Sequence, residues 1–186
     1  MIGGASHETH ETNCMTKLRI LAPDDAEAFW RLRLQGFRDE PLAFGSTAED
    51  HAGRPLSDVA RELGRGEDHF AVGAFLSEGG GERLVGMLGL DRDRRAKRRH
   101  RAKVWGMYVD PSARGRGVGK ALVDEIVARA RRTPGLEQLH LTVMADNAPA
   151  RRLYERVGFA SYGCAPRAMI LDGNGYDEHL LWLDLR

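Results

Sequence analysis

The chain reads as a mixed α/β domain: one sheet of about seven strands, mostly antiparallel, with helices on both faces. Three observations carry this. Short alternating apolar runs and 3.6-periodic runs follow one another along the chain in the order strand, two helices, three meandering strands, helix, strand, helix, two strands. At 186 residues the chain has the length of one domain, and no linker or internal repeat divides it. With 42% hydrophobic and 30% charged residues it can bury a core, which excludes wholesale disorder.

Each element has a local reason. Residues 1–15 lack apolar periodicity and are expected to be a flexible tail, leaving 16–186 as the domain. Lys17 to Leu21 alternates as a strand. Pro23-Asp24-Asp25 opens a helix with acidic charge at the positive end of its dipole, and Ala26, Phe29, Trp30, Leu34 and Phe37 share its apolar face up to Pro41. Ser57 to Leu63 is a second short helix. His69 to Leu76 and Arg83 to Leu90 form a hairpin around a glycine-rich turn, and Ala102 to Val109 is the third strand of the meander. Val118, Leu122, Ile126 and Ala130 recur every four residues, which predicts a helix over Gly117 to Arg132, broken by Pro134-Gly135. Leu139 to Met144 is a strand, Ala148 to Val157 a helix ended by Gly158, and Ala168 to Leu171 and His179 to Leu185 the last two strands.

Net charge is +1, which nominates neither nucleic acid nor membrane, but the charge is unevenly spread. Lys and Arg minus Asp and Glu amount to −6 over residues 1–90, +6 over 91–103 and +1 over 104–186. Arg92 to Lys103 holds eight basic residues; without interleaved aromatics it reads first as a solvated turn, and otherwise as a surface for an acidic acceptor, partner or nucleic acid. No run nears eighteen apolar residues, so no membrane helix is expected. Two cysteines, Cys14 and Cys164, exclude a disulfide scaffold and suggest a cytoplasmic setting. His7, His10 and Cys14 lack a fourth ligand at tight spacing, so no metal site is expected, and Cys164 is expected to be small and buried.

The densest signal is the turn from Val109 to Lys120, between a strand and a helix. Free N–H groups at a helix start attract anions, glycines allow close approach, and Arg114, Arg116 and Lys120 add charge. A phosphate or pyrophosphate cradle is the physical reading, against a plain helix-capping turn. An ATP-type P-loop fails twice, because Arg114 stands where its first glycine belongs and Ala121 follows Lys120. The dinucleotide fingerprint is met only as G-x-G-x-G. An R-x-x-G-x-G pattern is met by Arg114, Gly117 and Gly119.

The stretch WGMYVDPSARGRGVGKALV resembles the pyrophosphate signature of the GCN5-related N-acetyltransferase (GNAT) family. Asn147 to Tyr154, followed by Gly158-Phe159, is similar to that family's N-x-x-A-x-x-L-Y-x-x-x-G-F. The resemblance implies the GNAT fold, splayed between strands 102–109 and 139–145, and acetyl-CoA as acyl donor with no metal. Pantetheine would pair with the backbone of Met107, Tyr108 and Val109. The pyrophosphate would sit on the N–H groups from Arg114 through Gly115, Arg116, Gly117, Val118 and Gly119 to Lys120. Asn147 would bond the pantetheine arm, and Tyr154 would lie by the thioester sulfur as the acid. A tyrosine pKa near ~10 above a thiol's ~8.5 suits that role.

The base is not evident. Relatives often carry a glutamate near the position of Lys103, and a lysine does not serve at neutral pH unless its pKa is strongly depressed. His100 and His140 are candidates, beside a water route. Phe37 to Ser46, with the charges of Asp39 and Glu40, is the expected acceptor wall, and Trp30, Phe37, Phe44 and Trp105 are expected in the core or pocket lining. The acceptor is expected to be a small-molecule or peptide amine. The alternatives are a non-catalytic acyl-CoA-binding module and, more weakly, a nucleic-acid binder using the basic hairpin. A homodimer is common in the family, with no sequence feature here that selects it.

Overall fold

A computed structural model describes residues 16–78 and 80–186. The tail expected over 1–15, with His7, His10 and Cys14, lies outside the described residues. Strands β1 (Lys17–Ile20), β2 (His69–Glu78), β3 (Gly81–Arg92), β4 (Arg101–Val109), β5 (Gln138–Met144), β6 (Ala160–Leu171) and β7 (Asn174–Asp184) form one sheet in the order β1-β2-β3-β4-β5-β7-β6. The helices are α1 (Ala26–Asp39), α2 (Ala48–Ala52), α3 (Leu56–Leu63), α4 (Val118–Arg132) and α5 (Ala148–Val157). All strand pairs are antiparallel except β4 with β5.

The alternation of each strand divides the core in two. On what we call the back face, Val72, Leu88, Ala102, Val104 and Leu139 pack beneath Leu122, Ile126 and Ala130 of α4. On the front face, Ala71, Met87 and Tyr108 meet Phe29 and Phe37 of α1 and Val59 of α3. Burying a side chain such as Phe29, Leu122 or Ile126 contributes ~1.5–3 kcal/mol each, so the periodic faces read from the sequence are the ones that seat these helices.

Two departures from expectation concern the ends of elements. Helix α2 is short and not amphipathic; a capping box starts it, with Thr47 Oγ1 accepting from Asp50 N at 3.1 Å and Asp50 accepting from Thr47 N at 3.3 Å. Strands β6 and β7 are far longer than the runs 168–171 and 179–185. β6 is an edge strand, largely exposed and with a register break between Ala165 and Met169, so it shows no apolar alternation to read. Cys164 lies on it and is exposed, not buried as expected.

The pairing that positions the site is the shortest one. β4 and β5 are in register only at Arg101–Gln138, Ala102–Leu139 and Lys103–His140. Beyond them the strands part, so from Val104 to Val109 the β5-facing edge of β4 is open. Against β3, the register shifts between Met87, opposite Tyr108, and Gly89, opposite Trp105, which places an extra residue in β4. Gly106 takes up this bulge at φ +70°, a conformation that favours glycine.

Candidate active site

Where β4 and β5 part, a cleft of about 600 Å³ opens through the sheet. Its sides are the β4 segment Val104 to Val109 and the β5 segment Leu141 to Met144. The turn after α1, with Glu40, Leu42 and Ala43, forms its front lip. The start of α5, with Asn147, Pro149 and Ala150, forms the back lip, and Tyr154 lines the wall below it.

The glycine-rich turn meets this cleft at the C-terminal end of β4. Asp110 and Pro111 turn the chain, with Ser112 N donating to Asp110 Oδ1 at 2.9 Å. Gly115 and Gly117 take φ of +76° and +78°, and the space in front of each is open. Gly117 caps α4 without a side chain. The first bond of the helix runs from Ala121 N to Gly117 O at 3.0 Å. The N–H groups of Val118, Gly119 and Lys120 therefore have no partner within the helix, which makes its start an anion cradle. Arg114 N is already donated to Pro111 O at 3.3 Å, so this residue offers its side chain. That guanidinium straps the cleft: Nε donates to Val109 O at 3.0 Å and Nη2 lies 3.2 Å from Glu40 Oε1. Arg116 is exposed, and Lys120 Nζ bonds Asp124 at 2.5 Å.

The other expected residues sort by which way the strand turns them. Met107 and Val109 pack towards the back core and present their backbone to the cleft. Tyr108 alternates to the front, where its hydroxyl donates to Asp39, and its place opposite Met87 directs its backbone groups to β3. Burial and the Asp39 charge both raise the Tyr108 pKa. Asp39 thus anchors β4 to α1 and does not face an acceptor, whereas Glu40 does line the cleft. Asn147 Oδ1 caps α5, accepting from Ala150 N at 3.0 Å, which leaves its amide N–H₂ as the group it can offer. Tyr154 is 5% exposed and packs edge-on against Phe159 at 5.6 Å. Burial alone raises its pKa, so at neutral pH it is a protonated donor.

Of the candidate bases, none lines the cleft: Lys103 is exposed, and His100 and His140 lie outside it. Two residues not singled out in the sequence do matter here. Glu178, opposite Met144 across β5 and β7, is half-buried in the cleft wall, with no cationic partner among the described residues. The strand expected to begin at His179 stops one residue short of it. Arg33 on α1 lies 4.8 Å over the Trp105 ring, with Nε and Nη1 buried and unbonded; burial lowers its pKa, and it stays charged. It projects from a helix whose periodicity marks only its apolar neighbours.

Trp105 is also stacked with His69, ring centroids 5.6 Å apart. His69 Nδ1 lies 2.9 Å from Asp91, and Nε2 faces Glu62 at 3.7 Å, too long for a hydrogen bond but close enough for an ion pair. Glu62 is also bonded by Arg54 at 2.7 Å. Chiefly through His69 and then Arg54, the Glu62 pKa is pulled down to about 2; Glu62 first and Asp91 second raise that of His69. The Glu62 contribution to stability is therefore complete above its ordinary ~4.3 and is lost as pH falls toward 2. The His69 contribution is complete below ~6.5 and is lost as pH rises through its raised value. Thermal denaturation across pH should show maximum stability between ~4.3 and ~6.5 from this network, and Glu62→Gln should flatten the acid limb. An unchanged acid limb would remove Glu62 as its source.

Among the described residues, no group of three or more His, Cys, Asp or Glu is placed to hold a metal ion, and no helix is long and apolar enough to cross a membrane.

Comparison with known proteins bears on this cleft. The model of the acetyltransferase (GNAT) family matches residues 25–159. The chain is 33% identical over 147 residues to a mycothiol acetyltransferase of Actinosynnema mirum, a stretch covering 78% of this chain and 44% of that relative. It is 32% identical over 98 residues to the L-amino acid N-acetyltransferase AaaT of Escherichia coli, covering 53% of this chain and 60% of the relative. The matches thus span about half the length of these curated relatives. Among solved structures, a GNAT-family acetyltransferase of Streptococcus pneumoniae superposes with a TM-score of 0.72 at 20% identity, covering 91% of this chain and 99% of the other. Arabidopsis thaliana NAA60 in complex with acetyl-CoA superposes at 0.70 and 24% identity, covering 91% and 98%. At these identities the structures show a shared fold.

Proposed function

The chain belongs to the acetyltransferase (GNAT) family, and from that premise we infer that it is an acetyl-CoA-dependent N-acetyltransferase. It moves an acetyl group directly to a primary amine of a small molecule or peptide. The observation that carries this is a cleft that, with the glycine-rich turn adjoining it at Val109 and Arg114, brings three features together. These are the open edge of β4, the unbonded N–H groups at the start of α4, and the buried, protonated Tyr154. The names of the relatives, mycothiol and L-amino acid acetyltransferases, support amine acceptors of small size.

The residues fit an acyl-CoA. The open space before Gly115 and Gly117 admits a pyrophosphate, and the β4 edge beyond Lys103, except at Val109 O, which Arg114 occupies, offers backbone to an extended amide-bearing arm. Bound acetyl-CoA supplies the acyl group as a thioester. The acceptor nitrogen attacks that carbonyl, a C–N bond forms and the C–S bond breaks. Tyr154 donates its proton to the departing sulfur, which keeps a thiolate from accumulating in a buried site. Glu178 accepts a hydrogen bond from the acceptor nitrogen and takes the proton released once the C–N bond has formed, passing it to solvent, from which Tyr154 regains the proton it gave to the sulfur. The nitrogen must enter neutral, so an α-amine with pKa near ~7.7–8.0 is a better acceptor at pH 7.5 than a lysine near ~10.4. The same reading places the chain in the cytoplasm, on its cysteine usage, and carries a homodimer over from the family.

Free-thiol release from acetyl-CoA, measured against amino acids, polyamines, aminoglycosides and short peptides with a no-acceptor control, tests the activity. Release with one class is expected. Acetyl-CoA binding without release on any acceptor would overturn the enzymatic reading.

A further inference from the structure

Apart from Lys97, the basic residues of the run Arg92 to Lys103 divide into two parts once folded. One part is neutralised within the turn. Arg92 and Arg99 pair with Asp68 at 3.4 and 2.8 Å, and Arg95 and Arg98 pair with Asp93 at 2.7 and 3.1 Å. Arg92 also donates to Arg99 O at 2.6 Å and to Pro134 O at 3.0 Å, which fixes the turn against the end of α4. The other part is not neutralised. Arg94, Arg101 and Lys103, joined by Arg65 from the turn after α3, line a depression of about 470 Å³. None of these four has a carboxylate at ion-pairing distance among the described residues. In all, six arginines and one lysine line this depression, against Asp91 and Asp93. Asp91 is already engaged by His69 and Asp93 by two arginines. His140 in its wall accepts from Arg101 Nε at 2.9 Å, and burial holds its pKa down to about 4, so it is neutral at pH 7.

The depression and the cleft adjoin along β4, where Lys103 lines the one and Val104 the other. Lys103 stands between Asp91 and His140 in the sheet, on the front face, while Ala102 and Val104 on either side of it turn under α4. Trp105, two residues on, lines the cleft. Alternate residues on a strand are ~6.6 Å apart, so Lys103 lies ~7 Å and Arg101 ~13 Å from the point where the cleft opens. A chain of atoms entering the cleft along the front of β4 passes both.

We propose that the acceptor is an amine carrying an anionic group, carboxylate or phosphate, and that the depression lined by Arg65, Arg94, Arg101 and Lys103 receives that group. This rests on the acetyltransferase reading of the cleft. Four converging cations with no carboxylate of their own repel one another until an anion joins them, and they select it by charge. Glu178 pairs with Met144, four residues and so ~13 Å along β5 from the Lys103–His140 row, so an extended peptide with its amine at Glu178, rising ~3.3 Å per residue, brings an acidic side chain to that row at its fifth residue, on the face its first residue shares.

The test uses C-terminally labelled pentapeptides, Ala-Ala-Glu-Ala-Glu against Ala-Ala-Gln-Ala-Gln and Ala-Ala-Arg-Ala-Arg. A phosphorylated amine of similar reach against its unphosphorylated parent separates the phosphate source from the carboxylate source. Thiol release gives kcat/KM, and fluorescence anisotropy without acetyl-CoA gives peptide binding independently. The acidic peptide or the phosphorylated amine is expected to exceed its neutral partner at least ~10-fold in kcat/KM, mostly through KM, and the advantage shrinks as salt is raised. An Arg94→Glu, Lys103→Glu protein is expected to lose that advantage, with acetyl-CoA affinity as its folding control. Neutral and acidic acceptors used equally, or no binding of either anionic probe, overturns the anion site and leaves the activity standing. Binding of an anionic probe with no thiol release from any acceptor overturns the activity and leaves the site. A short RNA that binds more tightly than either anionic probe also overturns the proposal, in favour of nucleic acid.

Discussion

A Tyr154→Phe protein is expected to bind acetyl-CoA with unchanged affinity and to turn over ~10²–10⁴-fold more slowly. The size follows from what the hydroxyl is asked to do. A thiolate leaving into the cleft needs a proton at the moment the C–S bond breaks, and Tyr154 lines that cleft with a pKa raised by burial, so the proton is in place at any pH near neutral. The substitution is clean because the tyrosine has no protein hydrogen bond to lose among the described residues, and its ring keeps its edge-on packing with Phe159. Thermal stability should therefore hold while kcat falls. Single-turnover thiol release, with acetyl-CoA affinity from calorimetry, separates the outcomes. Unchanged turnover would return Tyr154 to a packing role.

Gly117→Val carries the second large effect, on binding. Gly117 stands at φ +78° at the start of α4. A side chain there costs ~1–2 kcal/mol, and more when β-branched. No protein atom lies within 4 Å of where its Cβ would stand, so the added isopropyl group meets no wall and occupies the approach to the cradle instead. Acetyl-CoA affinity should fall ~10–100-fold, since each 1.4 kcal/mol is a factor of ten. Gly117→Ala shares the backbone strain with less bulk and should fall less. Acetyl-CoA affinity that survives in both proteins would falsify the placement of the pyrophosphate on the start of α4.

The legible part of this molecule is the part in which function depends on local backbone chemistry. The run from Arg114 to Lys120 had to be a glycine-rich helix start, because only glycine adopts positive φ at Gly115 and Gly117 without strain, and that conformation leaves the following N–H groups exposed. Tyr154 and Asn147 are one helix start and two turns of periodicity. By contrast, Glu178 enters the cleft from β7, whose partner β6 is an exposed edge with a register break. An edge strand has no buried face, so its sequence carries no period. Asp39 shows the opposite limit: a charged residue on a helix end looks solvated, yet it anchors Tyr108 across the front face.

The amino-acid sequence by itself determined the order of elements, the two amphipathic helices that cover the sheet, and the cradle, because hydrophobic period, caps and glycine conformations act over a few neighbouring residues. Only the tertiary structure decided at which residue β4 and β5 part, which carboxylate enters the cleft between them, and which residues of the basic run stay unpaired. Those depend on strand register and on charges brought together from residues far apart in the chain. Asp68 lies 31 positions from Arg99, and Lys103 lies 37 positions from the His140 it stands beside in the sheet. No local pattern encodes a distance of that kind.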